Sequence, residues 1–101
     1  MYYIITYDIP EPYDYIRNKL ARLIMDYGFD RIQKSVFLGK ARYDTVENLA
    51  IEIENVLGEI DADVRIFPMC STCFSKVVVV RASGTDVRNP LVPEKEIVVV
   101  I

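Results

Sequence analysis

An α+β fold follows from three features of the chain: an apolar run at the N-terminus, two amphipathic periodicities, and a β-rich stretch set between them. The run YYIITYD is short and almost continuously apolar, which suits a central strand covered on at least one face. After the second periodicity comes a weakly alternating stretch that reads as another strand. The order is therefore strand, helix, hairpin, helix, strand. That is the ferredoxin-like βαββαβ sandwich, an antiparallel sheet with two helices on one face. Unrelated functions share this architecture, so the fold alone selects none of them.

Taken in order, the first strand runs from Tyr2 to Asp8 and ends on a carboxylate, followed by the break Pro10-Glu11-Pro12. Pro12 suits the first turn of a helix. Ile16, Leu20, Leu23, Ile24 and Tyr27 then fall on one helical stripe, and Gly28 closes it as a C-terminal cap. Phe29 to Ala41 is expected to form a hairpin turning near Lys34 and Ser35, because one strand of that length is unusual in so small a domain. Asp44 and Glu47 resemble a capping box for the second helix. Its apolar stripe is Val46, Leu49, Ala50, Ile53, Val56 and Leu57, and Gly58 ends it. Asp63 to Met69 reads as a strand with Pro68 marking its end or an edge position. Phe74 to Arg81 reads as a further strand, and ASGTDVRNPLVPEKE as a loop or arm. The final EIVVVI is a strand that needs a sheet edge to pair with, its own or a partner's. The expected division is a domain over 1–81 and a C-terminal arm with a dimer-pairing strand over 82–101.

The chain has 101 residues and is 51% hydrophobic, enough for one domain with a core of its own. No apolar run reaches bilayer-spanning length, and the N-terminus lacks the basic-then-apolar order of a signal peptide. A cytoplasmic protein without membrane contact is the expectation. The formal net charge of −3 argues against a generally basic nucleic-acid binder. Its distribution says more than its total. From Arg17 to Arg42 seven cations stand against two carboxylates, whereas from Tyr43 to Asp63 there are seven carboxylates and no cation. A folded domain with that asymmetry has a basic side and an acidic side.

The chain has no His, which excludes imidazole general-base and zinc-histidine chemistry within it, and there is no glycine-rich phosphate loop. Cys70-Ser-Thr-Cys73 can be redox-active or half of a zinc site, but two small apolar residues or a local disulfide are the commoner meanings of such a pair. Carboxylates remain. A carboxylate-held magnesium can hydrolyse a phosphodiester by binding a phosphate oxygen and lowering the pKa of a bound water. Asp8 closes a buried strand beside Tyr7 where the first helix leaves the sheet, but one carboxylate is too few ligands for magnesium. A two-fold axis near that strand end would supply the second from another copy.

TYDIP at the first strand end, IRNKL in the first helix, DYGFDRIQKSVFLG through the hairpin and VRIFPMC late in the chain together resemble the CRISPR-associated protein two family. The resemblance runs in order over about residues 1 to 80. It implies a homodimer of ferredoxin-like domains whose C-terminal strand lies against the partner protomer's sheet. It implies a magnesium-dependent (or manganese-dependent) endonuclease, acting on single-stranded RNA ahead of duplex DNA. It also implies a place in spacer acquisition beside a larger integrase, CRISPR-associated protein one. Carried over by position, Asp8 is the metal ligand and Tyr7 its neighbour in the catalytic site. Arg17, Lys19 and Arg31 are the backbone-facing cations, and Ser35 and Phe37 line the site. Lys19 stands where some members have arginine, which exchanges a planar fork for a point charge. The other readings are a non-catalytic DNA-binding scaffold bridging integrase dimers and a small-molecule regulatory domain of the same fold.

Overall fold

β1, Tyr2–Asp8, lies between two other strands and alternates strictly, with Tyr3, Ile5 and Tyr7 buried on one face. The computed structural model describes residues 1–81 and 84–86. α1 spans Asp14–Asp26, β2 Asp30–Gln33, β3 Val36–Lys40, α2 Tyr43–Leu57 and β4 Asp63–Met69. The sheet order is β2-β3-β1-β4 with every neighbour antiparallel, which is the ferredoxin-like arrangement. A short α3 at Ser71–Phe74 follows, then β5 at Val79–Arg81 and β6 at Gly84–Asp86, which pair as a separate two-stranded sheet. Among the described residues no helix is long and apolar enough to cross a membrane.

The core sits between one sheet face and the two helices. Ile5 and Phe37 from the sheet meet Leu20 and Ile24 of α1 and Leu49 of α2, all fully buried. Burial of each such side chain is worth about 1.5–3 kcal/mol. The α1 stripe is the one read from the sequence, with Leu23 and Tyr27 at the margin of the core, whereas in α2 Ala50 is exposed and the stripe narrows to Val46, Leu49 and Ile53, flanked by Val56 and Leu57. Gly28, at φ 91°, and Gly58, at φ 61°, end their helices in the left-handed region.

The opposite sheet face carries Tyr2, Ile4, Thr6 and Asp8 from β1, across from Met69, Phe67, Arg65 and Asp63 of β4. Phe74 covers part of it, stacked on Tyr2 with ring centroids 4.0 Å apart. Leu38, Ile4 and Met69 complete that smaller cluster.

Four local readings are corrected. Pro12 is not in the first turn of α1: Tyr13 N–H closes a turn on Pro10 O at 3.2 Å, and the helix begins after it. Asp44 is not the cap of α2, because the helix starts at Tyr43 behind Arg42, and the Asp44 carboxylate accepts from Thr45 N–H at 2.9 Å. Phe74 to Arg81 is not one strand, since Phe74 ends α3, where its ring is drawn onto the sheet, and pairing begins only at Val79. Gly84–Asp86, inside the segment read as a loop, pairs with β5. The expected boundary after residue 81 falls within that pair, and the EIVVVI strand lies outside the described residues. The hairpin turn at Lys34 and Ser35 and the edge position of Pro68 stand as expected.

Candidate functional site

Asp8 is the last residue of β1, and strand alternation turns it to the helix-free face, where it is exposed. Its partner across β1 and β4 is Asp63. Residues in that relation have Cβ atoms about 4.5–5.5 Å apart, so two like charges would repel. Arg65 offsets this by gripping Asp63 with Nε at 3.0 Å and Nη2 at 3.1 Å. The hydrogen bonds from Arg65, with its charge, hold the Asp63 carboxyl below the usual carboxylate range. The Asp8 carboxylate makes no hydrogen bond or ion pair among the described residues.

Beside Asp8 opens a cleft of about 550 Å³ lined by Tyr7, Asp8, Arg17, Arg31, Lys34 and Ser35, among others. Its floor comes from the hairpin turn, because Tyr7 N–H donates to Ser35 O at 3.2 Å and so fastens that turn against the end of β1. The Tyr7 ring is buried, and its hydroxyl donates to Lys34 O at 3.5 Å and accepts from Arg31 Nη2 at 3.4 Å. The Arg31 guanidinium also lies 5.1 Å from the centre of the Phe37 ring, a cation–π contact that holds it over the cleft. On the opposite wall Arg17 donates to Ile9 O at 2.6 Å and pairs with Asp14. Two of its nitrogens are thus committed to joining α1 to the strand exit.

Of the residues the sequence singles out, Tyr7, Asp8, Arg17, Arg31 and Ser35 share this cleft. Lys19 is exposed on α1 and does not line it. Phe37 is corrected: it has no exposed surface, so its ring cannot receive a base and instead supports Tyr7, at 5.9 Å between centroids, and Arg31. Lys34 and Asn18 line the cleft without having been singled out, as Asp63 and Arg65 flank Asp8. Lys34 was legible as the residue preceding Ser35 in the turn. The pairing of Asp8 with Asp63 depends on register and was not.

Magnesium and manganese take hard oxygen donors, and an unpaired carboxylate at a strand end suits them. Asp8 is such a carboxylate and is the residue that would hold the ion, whereas Asp63 and Asp14 are engaged by arginines. Among the described residues no group of three or more metal-binding side chains gathers. The donor chemistry therefore fits a hard cation, while one chain supplies fewer carboxylates at this point than a magnesium site takes.

The protein-family model described as CRISPR associated protein Cas2 matches residues 1–77. The CRISPR-associated endoribonuclease Cas2 1 of Archaeoglobus fulgidus is 30% identical over 95 residues, which cover 94% of this chain and 95% of the relative. A CRISPR-associated endonuclease Cas1/endonuclease Cas2 fusion of Thermoproteus tenax is 36% identical over 67 residues, 66% of this chain and 25% of the fusion. The crystal structure of Streptococcus pyogenes Cas2 at pH 6.5 shares the fold, with a TM-score of 0.71 at 20% identity over 80% of this chain and 100% of that one. With the fold and the strand-end carboxylate in place, this chain belongs to the CRISPR-associated protein Cas2 family.

Proposed function

We propose that the protein is a metal-dependent endonuclease acting in CRISPR spacer acquisition, with single-stranded RNA ahead of duplex DNA as its substrate. The observation that carries this reading is the unpaired Asp8 carboxylate, exposed on the helix-free sheet face and adjoining a cleft with Arg17, Arg31 and Lys34 on its walls. The relative from Archaeoglobus fulgidus, named an endoribonuclease, supports the activity class. A second copy packed on the same sheet face completes the donor set, since an isologous contact brings identical residues together. Exposed Phe67 and the half-buried Tyr2, Ile4 and Met69 on that face support such a contact.

In this reading Asp8 from both copies holds magnesium or manganese, which when bound polarises a phosphate oxygen and lowers the pKa of a bound water. Arg31 and Lys34 receive the flanking phosphates. Tyr7, held between Lys34 O and Arg31, positions the guanidinium. Phosphate contacts of this kind give affinity without sequence preference and weaken with added salt.

The test is Asp8→Asn assayed on single-stranded RNA and on duplex DNA, with magnesium and with chelator. Loss of metal-dependent cleavage with nucleic-acid binding retained is expected. Cleavage at the wild-type rate by the variant would overturn the assignment.

A scaffold reading, in which the dimer clamps duplex DNA and bridges dimers of the integrase CRISPR-associated protein one, is favoured by one observation. The Thermoproteus tenax relative joins Cas1 and Cas2 in a single chain. Spacer integration that survives Asp8→Asn would select the scaffold.

A further inference from the structure

The Cys70-Ser-Thr-Cys73 motif has no part in the nucleic-acid reading, and its geometry is specific. β4 ends at Met69, and the chain turns directly into α3 with Cys70 as the capping residue. Cys70 Sγ accepts from Cys73 N–H at 3.3 Å, while Phe74 N–H donates to Cys70 O at 2.9 Å. Ser75 reinforces the same turn, donating from N–H to Ser71 O at 3.0 Å and from its hydroxyl to Thr72 O at 2.7 Å. The two cysteines are thus held about one turn apart, a Cα separation of about 5 Å, within the span that a disulfide bridges. Both thiols are free and exposed.

We propose that Cys70 and Cys73 form a thiol–disulfide exchange site that takes a low-molecular-weight disulfide as co-reactant and closes to an intramolecular Cys70–Cys73 bond. The Cys70 thiolate attacks one sulfur of the small disulfide, forming a mixed disulfide and releasing one thiolate. Cys73 then loses its proton and attacks Cys70 Sγ, expelling the second thiolate. Two protein thiols are oxidised, one small disulfide is reduced to two thiols, and no other reagent is needed.

The turn also assigns the order of attack. The Cys73 N–H and side chain stabilise the Cys70 thiolate and lower its pKa, whereas the hydrogen bond and charge of Cys70 raise that of Cys73. Because Cys70 Sγ sits at the capping position and accepts the Cys73 N–H, Cys70 is the attacking thiol and Cys73 the resolving one. Among the described residues no third ligand gathers with the pair to make a metal set. The bond would fasten the turn that carries Phe74 onto Tyr2 of the helix-free face.

The test exposes the full chain to oxidised glutathione, quenches with acid, and measures intact mass without reductant. Wild type is expected to lose two hydrogens with little mixed disulfide, and reduced dithiothreitol should restore the starting mass. Cys73→Ser should stop at a single glutathione adduct on Cys70. Cys70→Ser keeps a good capping residue, so the turn should persist, and it should react at least about tenfold more slowly. Persistent mixed disulfide in the wild type, equal rates for the two single variants, or disulfides formed only between chains would each overturn the proposal. Circular dichroism of both variants confirms that any loss is one of chemistry and not of folding.

Discussion

Asp8 and Asp63 stand directly opposite each other in the β1–β4 register, and among the described residues only Asp63 has an arginine partner. Arg65 therefore separates a neutralised carboxylate from a free one at the same strand end. Removing it in Arg65→Ala should raise the Asp63 titration midpoint toward the ordinary carboxylate range, or past it through repulsion from Asp8. The sign for stability follows. A carboxyl whose folded pKa is depressed stabilises the protein above its unfolded pKa, and that contribution is lost as pH falls through the folded value. The variant should thus lose part of the wild type's sensitivity to acid, by a small amount because the pair is exposed. Carboxyl-carbon NMR titration reads this directly, and an unmoved Asp63 midpoint would show that Arg65 does not control it.

Phe37 separates packing from recognition. Its ring is fully buried beneath Tyr7 and Arg31, so Phe37→Ala should cost about 3–5 kcal/mol of stability, and Phe37→Leu considerably less. Urea unfolding of the two variants checks the ranking. A Phe37→Ala protein as stable as wild type but deficient in RNA binding would return Phe37 to the lining of the site.

Arg17 is a joint before it is a phosphate contact. Its guanidinium bonds the Ile9 carbonyl at 2.6 Å and pairs with Asp14, closing the passage from β1 into α1. Arg17→Ala leaves a partly buried carbonyl without that partner and should cost about 1–3 kcal/mol. Arg17→Lys keeps the charge but not the fork, so it should recover nucleic-acid affinity better than stability. Thermal unfolding beside a binding titration distinguishes the two roles. A lysine variant as stable as wild type would mean that the Ile9 bond contributes little.

The elements that were legible in the sequence are those whose pattern and punctuation agree. The Leu20 and Ile24 stripe closes on Gly28, the Leu49 and Ile53 stripe closes on Gly58, and β1 and β4 have the ends expected of them. Phe74 was misread because a strand-like composition yielded to a tertiary contact, its ring stacking on Tyr2 far away in sequence. Asp8 could be singled out from its position at the end of an apolar run. Asp63 beside it could not, since one residue of register would have turned it to the other face. Phe37 sits in the same SVF segment as Ser35, yet alternation sends its ring into the core. Adjacency to a site residue in sequence therefore said nothing of access to the site.

Gly39 gives the sharpest packing prediction. It lies in β3 opposite Tyr3, and a Cβ built there would stand 2.7 Å from both Cδ2 and Cγ of the Phe29 ring. No real Cβ tolerates that distance, and Phe29 is itself buried in the core, so its ring cannot swing into solvent without losing its own contacts. Gly39→Ala should therefore destabilise the protein by about 1–3 kcal/mol, the usual cost of overpacking. The clash is with one side chain and not with backbone, which makes the effect separable. In a Phe29→Ala background the same substitution should cost little or even fill part of the space left behind. A double-mutant cycle by urea unfolding measures the coupling, and strictly additive costs would show that the penalty at Gly39 comes from its backbone conformation and not from the Phe29 ring.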